Sequence, residues 1–191
     1  MMLEGFWVST GAVALAEMGD KTQLLSLVLA ARYRRPWVIV AGIFVATLVN
    51  HALAGALGGW LTILVSPDVM RWILGISFIA MALWMLVPDK LDDDDGDKLS
   101  RFGVLGATII AFFLAEMGDK TQIATVALAA RFPSVVEVVA GTTVGMMLAN
   151  APVVFLGERI TRALPLRKIQ MVAALIFAVL GVMALVGVGA G

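Results

Sequence analysis

The chain alternates long apolar segments with short polar connections. Six segments reach the length of about 20 residues that a helix needs to cross a bilayer, and they cover residues 6–31, 37–65, 69–87, 102–130, 134–157 and 168–188. The pattern predicts an all-α membrane protein with six transmembrane helices. Because the first, second and fourth segments are longer than one crossing requires, we expect those helices to be tilted or interrupted.

The composition agrees with a membrane bundle and excludes several other classes of protein. Of the 191 residues, 61% are hydrophobic, and the mean hydropathy is +0.97, which no soluble domain of this size requires. The net charge of zero gives no reason to expect a nucleic-acid partner, and without cysteine there are no disulfides or thiolate sites. The single histidine, His51, excludes a zinc site of several histidines. No basic residue precedes Lys21, so we expect a mature first helix rather than a cleavable signal peptide.

Nine residues, Leu15 to Gln23, occur again without change from Leu114 to Gln122. Each copy places two acids and a lysine near the middle of an apolar segment, where a charge costs about 2.5–3.5 kcal/mol. Intramembrane acids are a functional-site hypothesis by default, and two matched copies indicate one site shared between two halves.

The offset of 99 residues between the copies also aligns Leu29–Arg32 with Leu128–Arg131. It divides the chain into a first three-helix repeat over 1–87, an acidic linker over 88–101 and a second three-helix repeat over 102–191. Since three is odd, we expect the second repeat to be inserted upside down relative to the first. Inverted repeats of this kind place substrate sites near the bilayer midplane.

Basic residues are concentrated on one predicted face of the membrane. Ten follow the first, third and fifth segments, and only two lie on the other face, Arg71 and Arg131. The ten are Arg32, Arg34, Arg35, Lys90, Lys98, Arg101, Arg159, Arg162, Arg167 and Lys168. The positive-inside rule then predicts a cytoplasmic linker with both termini outside. Five tryptophans near segment ends fit an aromatic belt in contact with membrane lipid: Trp7, Trp37, Trp60, Trp72 and Trp84.

The motif acids have the chemistry of a cation site. If each motif is helical, its two acids share one face, and the two halves together bring four carboxylates around one point: Glu17, Asp20, Glu116 and Asp119. Hard divalent cations prefer such oxygen ligands. Neutral oxygens are available within a turn from Thr22, Gln23, Thr121 and Gln122. Gly19 and Gly118 are unfavourable inside a helix and would permit a local unwinding that exposes carbonyls.

Two lysines, Lys21 and Lys120, leave the four acids with a formal charge of −2, which matches one divalent cation. The i,i+4 spacing of Glu17 and Lys21 predicts that each lysine neutralises its own glutamate when the site is empty. Burial disfavours an ionised carboxylate, so protons can replace the metal. One site would then serve metal in one direction and protons in the other.

Three polar residues lie in the middle of the partner segments: Asn50, His51 and Asn150. At the repeat offset His51 aligns with Asn150, and all three are candidate ligands, proton carriers or interhelical hydrogen-bond partners. In the second segment, Gly55, Gly58 and Gly59 mark either a break or a close helix contact.

The sequence Glu-Met-Gly-Asp-Lys-Thr, present twice about a hundred residues apart, closely resembles the signature Glu-x-Gly-Asp-(Lys/Arg)-(Thr/Ser) of the Gdt-type cation/proton exchangers. That family includes bacterial manganese exporters and Golgi Mn²⁺/Ca²⁺ transporters, and the resemblance covers nearly the whole chain. It implies an inverted-repeat transporter in which the four motif acids bind Mn²⁺ or Ca²⁺ as transported substrate, with no resident cofactor. A small chain without a targeting extension resembles the bacterial members, which implies manganese export across the bacterial inner membrane.

Export of a divalent cation against an inside-negative potential of 100 mV costs about 5 kcal/mol, and the chain has no nucleotide-binding motif. We therefore predict a secondary transporter, not an enzyme, driven by entry of protons or Na⁺. A Ca²⁺/H⁺ antiporter with the same site is the alternative, and an exporter of amino acids or similar molecules is a further one. An intramembrane aspartyl protease is disfavoured because Asp20 and Asp119 each precede a lysine. A neighbouring lysine favours the ionised carboxylate, whereas the two aspartates of a working dyad share one proton. Oligomeric state stays open, and a homo-oligomer is compatible with the sequence.

Overall fold

A computed structural model describes residues 3–87, 102–157 and 165–187. These residues form eight helices and no strand: α1 Glu4–Glu17, α2 Lys21–Tyr33, α3 Pro36–Leu64, α4 Pro67–Trp84, α5 Gly103–Glu116, α6 Lys120–Arg131, α7 Val135–Leu156 and α8 Leu166–Leu185. The expected all-α class is confirmed. The linker 88–101 lies outside the described residues, as do five of the residues used to orient the chain: Lys90, Lys98, Arg101, Arg159 and Arg162.

Four helices are long and apolar enough to cross a membrane: α3, α4, α7 and α8. Helices α3 and α4 each begin with a proline, Pro36 and Pro67, in the first turn. Proline fits there because its missing N–H would have no helical partner at that position. Helix α5 is apolar but only 14 residues long, and it is one half of a broken pair.

The two segments that carry the duplicated motif are interrupted, as expected. The first divides into α1 and α2 at residues 18–20, and the fourth divides into α5 and α6 at residues 117–119. The second segment is different, because α3 continues over 29 residues, and a break at its glycines is therefore wrong. Those glycines instead allow close contact: a Cβ at Gly58 would collide with the Val126 carbonyl of α6, and one at Gly59 would lie 2.8 Å from Val135 of α7.

Helices from the two halves pack closely through small residues. Gly141 of α7 lies against the Phe6 backbone, and Gly145 lies against the backbone of Thr10 and Ala14, so α7 runs alongside α1 in the same direction. Helices α3 and α5 make the equivalent parallel pair: Gly42 faces Thr108 and the Leu105 carbonyl, and Asn50 reaches the Phe113 carbonyl. Helices α3 and α7 run in opposite directions, since Gly55 faces Val139 and Gly59 faces Val135.

Helices α4 and α8 pack against each other beside this central group. The rings of Phe78 and Phe177 lie with centroids 6.2 Å apart, and Gly75 leaves room for Leu185. Helix α4 also packs on α6, and α8 packs on α1. The buried core therefore joins both halves of the chain, because Phe78, Ala124 and Phe177 belong to one cluster.

The contact at Gly141 predicts a large difference between two glycine-to-alanine variants. Gly141→Ala would place a methyl group on the Phe6 backbone, and such overpacking costs about 1–3 kcal/mol. Gly11→Ala is the control: nothing lies within 4 Å of its added Cβ, and alanine favours the helix by up to about 1 kcal/mol. Thermal unfolding of the purified protein in detergent should show a lower melting temperature for Gly141→Ala only. Equal melting temperatures for the two variants would contradict the close packing of α1 and α7.

Candidate functional site

The two motifs adopt nearly the same backbone. Met18 and Met117 are extended, Gly19 and Gly118 have positive φ of 88° and 74°, and the following aspartates are extended again before the next helix begins. Glycine adopts positive φ without the steric cost that other residues incur. Each break therefore leaves a helix C-terminus and a helix N-terminus facing a short unwound stretch, the arrangement in which transporters expose backbone carbonyls and helix dipoles to ions.

This geometry corrects the expectation that the two acids of a motif share one helix face. Helix α1 ends at Glu17, and Asp20 precedes the first residue of α2. Glu116 and Asp119 are placed in the same way at the end of α5 and the start of α6. The glycine between each pair of acids, with its positive φ, interrupts the helix, so i,i+3 helical spacing does not apply. The glutamates therefore belong to helix C-termini and the aspartates to helix N-termini.

Both glutamates are buried and held by one hydroxyl each. Glu17 and Glu116 are each 1% exposed. Thr22 donates to one carboxylate oxygen of Glu17, and Thr121 donates to Glu116 over 2.6 Å. The second oxygen of each carboxylate is buried and has no hydrogen-bond partner among the residues that the structure describes. Because an unsatisfied buried polar atom is costly, these two oxygens are the atoms of the site best suited to receive a cation or a proton.

The lysines pair across the halves and not within their own motif, so the expected pairing of each lysine with its own glutamate is wrong. The Lys21 amine lies 3.3 Å from Asp119, and the Lys120 amine lies 3.6 Å from Asp20. The break explains the difference, because it separates Glu17 from α2, on which Lys21 begins a new helix. The four residues therefore form two crossed ion pairs between the halves.

The four carboxylates lie in one electrostatic environment without forming a ready-made metal cage. Glu17 interacts electrostatically with Glu116 and Asp119, and Glu116 interacts with both aspartates. Across the parts of the chain that the structure describes, however, no three aspartate, glutamate or histidine side chains are arranged to hold a metal ion. The lysine amines lie beside the aspartates. We call the twelve residues of the two motifs, Glu17–Thr22 and Glu116–Thr121, the motif site.

The two motif glutamines stabilise the breaks. Gln23 accepts from the Gly19 N–H over 3.0 Å and donates to the Ala149 carbonyl of α7 over 2.9 Å. Gln122 accepts from the Gly118 N–H over 2.7 Å and donates to the Asn50 side chain of α3 over 2.9 Å. Their oxygens are thus occupied by backbone donors. The glutamines tie each break to a helix of the other half.

The partner-helix residues differ in their contacts. Asn50 also donates to the Phe113 carbonyl over 3.1 Å, and Asn150 accepts from Ser26 over 2.9 Å, so both make interhelical hydrogen bonds. His51 is fully buried, and neither ring nitrogen has a hydrogen-bond partner in the described structure. Asn50 and Asn150 thus contact the motif helices through direct hydrogen bonds. The role of His51 as a ligand or proton carrier stays a prediction.

Sequence reasoning missed three residues near the motifs. Ser26 lies one helical turn beyond Thr22 and bonds Asn150. Ser26 is polar and follows a motif threonine by four residues, on the same helix face. This spacing could have identified it from the sequence. Trp84 was assigned to the interfacial belt, but its ring centroid lies 6.0 Å from the Lys120 amine. The Val87 carbonyl accepts from the same amine over 3.4 Å. No sequence pattern marks a backbone acceptor of this kind.

Comparison with known proteins assigns both halves to one family. The model of the family described as "Divalent cation/proton antiporter GDT1" matches residues 5–93 and, separately, residues 104–190. A protein of Vibrio cholerae named "Putative manganese exporter" is 52% identical over 171 residues, covering 89% of this chain and 84% of its own length. A GDT1-like protein 5 of Arabidopsis thaliana is 27% identical over 96% of both chains, and a GDT1-like protein of Synechocystis is 26% identical over 92% of this chain and 94% of its own. No solved structure matches.

Proposed function

Because the chain belongs to the GDT1 family of divalent cation/proton antiporters, we propose that it exports Mn²⁺ from the cytoplasm in exchange for protons at the motif site. Membership of the family makes it a membrane-embedded cation transporter and not an enzyme. The identity of the metal, the exchange mechanism and the residues that carry it are the content of the proposal.

The proposed topology is six membrane crossings in two inverted repeats, with each broken pair, α1–α2 and α5–α6, counted as one crossing. Two observations support it. The family model matches each half separately, and α1 runs parallel to α7, α3 parallel to α5, and α3 antiparallel to α7. These directions require α1 and α5 to run in opposite directions, as inversion demands. The excess of basic residues after the first, third and fifth segments supports termini outside the bacterial inner membrane and a cytoplasmic linker.

The unpartnered carboxylate oxygens of Glu17 and Glu116 are the observation that carries the proposed chemistry. Each glutamate would offer one oxygen to the cation while its threonine holds the other. The aspartates complete the site only after their lysines move, since each amine lies within 4 Å of an aspartate oxygen. We propose that Mn²⁺ displaces both amines and is bound by all four carboxylates. The lysines thus act as tethered cations that compete with the metal.

Protons compete for the same oxygens. Both glutamates are buried, and burial disfavours an ionised carboxylate, so we propose that protons occupy these oxygens when no metal is bound. A site that faces the proton-rich outside would therefore take up protons and release metal, and a site that faces the cytoplasm would release protons and bind metal. Proton entry supplies the free energy to move two positive charges out of an inside-negative cell.

Uptake into everted membrane vesicles with an acidic interior tests this function. Mn²⁺, Ca²⁺, Mg²⁺ and Zn²⁺ should be compared in parallel, with vesicles that lack the protein as the control. We expect uptake of Mn²⁺ that stops when an ionophore collapses the pH gradient. Uptake of Ca²⁺ alone would indicate that the protein exports calcium through the same site. Metal uptake that is indifferent to the pH gradient would refute proton exchange.

A further inference from the structure

The two sides of the motif site are unequally enclosed. Lys21 and Lys120 occupy equivalent positions, but the Lys21 side chain is 25% exposed and the Lys120 side chain only 4%. Because a charge exposed to lipid costs several kcal/mol, we expect water rather than lipid beside the exposed part of Lys21. We call the Lys21 end of the motif site the wet side and the Lys120 end the dry side.

The C-terminal end of α4 covers the dry side. The Lys120 amine donates to the Val87 carbonyl over 3.4 Å and lies 6.0 Å from the Trp84 ring centroid, within the range of a cation–π interaction. Met85, between them, is 2% exposed. The same amine is 3.6 Å from Asp20. Residues 84–87 thus hold Lys120 in a position where it pairs with the first motif.

The other half lacks the aromatic part of this cover in its sequence. At the offset of 99 residues, Trp84 and Val87 correspond to Met183 and Val186 at the end of α8, and methionine offers no aromatic ring to an amine. The helices differ as well, since within the described ranges α4 packs closely on α6 whereas α8 packs closely on α1. The inequality of the two lysines therefore follows from the placement of the α4–α8 pair.

We propose that residues 84–87 are a gate over the Lys120 side of the motif site, with the Trp84 ring as the part that covers position 120. With this gate closed, the structure opens the site to water on the Lys21 side alone. Displacement of Trp84 and Val87 from Lys120 would expose the opposite side. The role of residues 84–87 as a gate rests on the proposed exchange function, because an exchanger that is open to both sides of the membrane at once dissipates the proton gradient.

Cysteine accessibility tests the gate directly, because the chain contains no cysteine. Lys21→Cys and Lys120→Cys would each be labelled with a positively charged, membrane-impermeant methanethiosulfonate. If the gate is open in at most about 10% of molecules, Lys120→Cys should react about tenfold more slowly than Lys21→Cys. Equal rates at the two positions would overturn the proposal.

Variants of Trp84 make the assignment specific. Trp84→Met copies the residue found in the other half and should raise labelling of Lys120→Cys about tenfold, whereas Trp84→Phe keeps a ring and should leave it slow. Trp72→Met, at an exposed tryptophan on the same helix, is the matched control and should have no effect. Faster labelling in Trp72→Met, or unchanged labelling in Trp84→Met, would refute the role of Trp84. If Trp84→Met does not fold, the comparison of the two cysteine variants and the Trp84→Phe variant still test the gate.

A second readout separates the gate from a structural role and from the proposed function. In liposomes, Trp84→Met should show a proton leak without metal that the wild type and Trp72→Met lack. A merely destabilised protein would lose uptake without leaking. Labelling requires no transport, so the gate can fail while proton-coupled Mn²⁺ uptake stands. Uptake can likewise fail while the labelling pattern stands.

Discussion

Glu17→Gln and Glu116→Gln are each expected to reduce metal uptake at least about 100-fold while the protein remains folded. Glutamine keeps the size of the side chain and can still accept the threonine hydrogen bond seen in both motifs. It cannot carry the charge that balances a divalent cation or the proton that replaces it. Loss of about 2.7 kcal/mol of cation binding corresponds to about 100-fold in affinity. Uptake into liposomes, normalised to the amount of folded protein, measures the effect.

The two substitutions should reduce metal uptake equally, because the proposal treats the two glutamates as equivalent parts of one site. Glu4→Gln is the matched control: Glu4 is an exposed acid in the first turn of α1, and its loss should leave uptake near the wild-type rate. Full uptake by either motif variant would refute the shared site. An equal loss in Glu4→Gln would show that the assay reports general damage.

Lys120→Met is expected to lower the melting temperature by about 6–20 °C, from a loss of about 3–5 kcal/mol. The Lys120–Asp20 pair is almost fully buried, at 4% and 3% exposure, and removing one member of a buried pair leaves a charge that the protein compensates poorly. Lys21→Met should cost less, since Lys21 is 25% exposed and water can solvate the remaining charge. Thermal unfolding in detergent measures both variants.

A double-mutant cycle distinguishes pairing across the halves from pairing within a motif. Asp20→Asn combined with Lys120→Met should recover much of the stability lost in Lys120→Met alone, and Lys21→Met should couple to Asp119→Asn in the same way. Lys21→Met combined with Glu17→Gln should be close to additive. Strong coupling between Lys21 and Glu17, without coupling to Asp119, would contradict the crossed pairs.

The sequence predicted the broken segments because their physical causes are local. A membrane crossing requires a known length, the segments of both motifs exceed it, and a glycine stands inside each motif where a helix is least favoured. The structure places both breaks at those glycines. The same reasoning could not decide the role of the glycines in α3, because a glycine that breaks a helix and one that admits a neighbour look alike until the neighbour is known. Val126 and Val135 are the neighbours that settle it.

The ion pairs were mispredicted because helical spacing was extended through a motif that is not helical. Lys21 is four residues from Glu17 in the chain, but the break at Gly19 places it on a new helix beside Asp119 of the other half. Contacts between the halves depend on how α1–α2 and α5–α6 meet, which one sequence does not encode locally. The contact of Trp84 was not predictable for the same reason: hydropathy locates Trp84 near a segment end, and only the packing of α4 on α6 brings its ring to Lys120.

The exchange of metal for protons at one site is tested most directly by recording both ions together. Purified protein in liposomes with a trapped pH indicator would be given Mn²⁺ outside, without any imposed pH gradient. We predict Mn²⁺ entry together with alkalinisation of the interior in the wild type, and neither signal in Glu17→Gln. Mn²⁺ entry without a change of internal pH, or equal signals in the wild type and Glu17→Gln, would contradict the account.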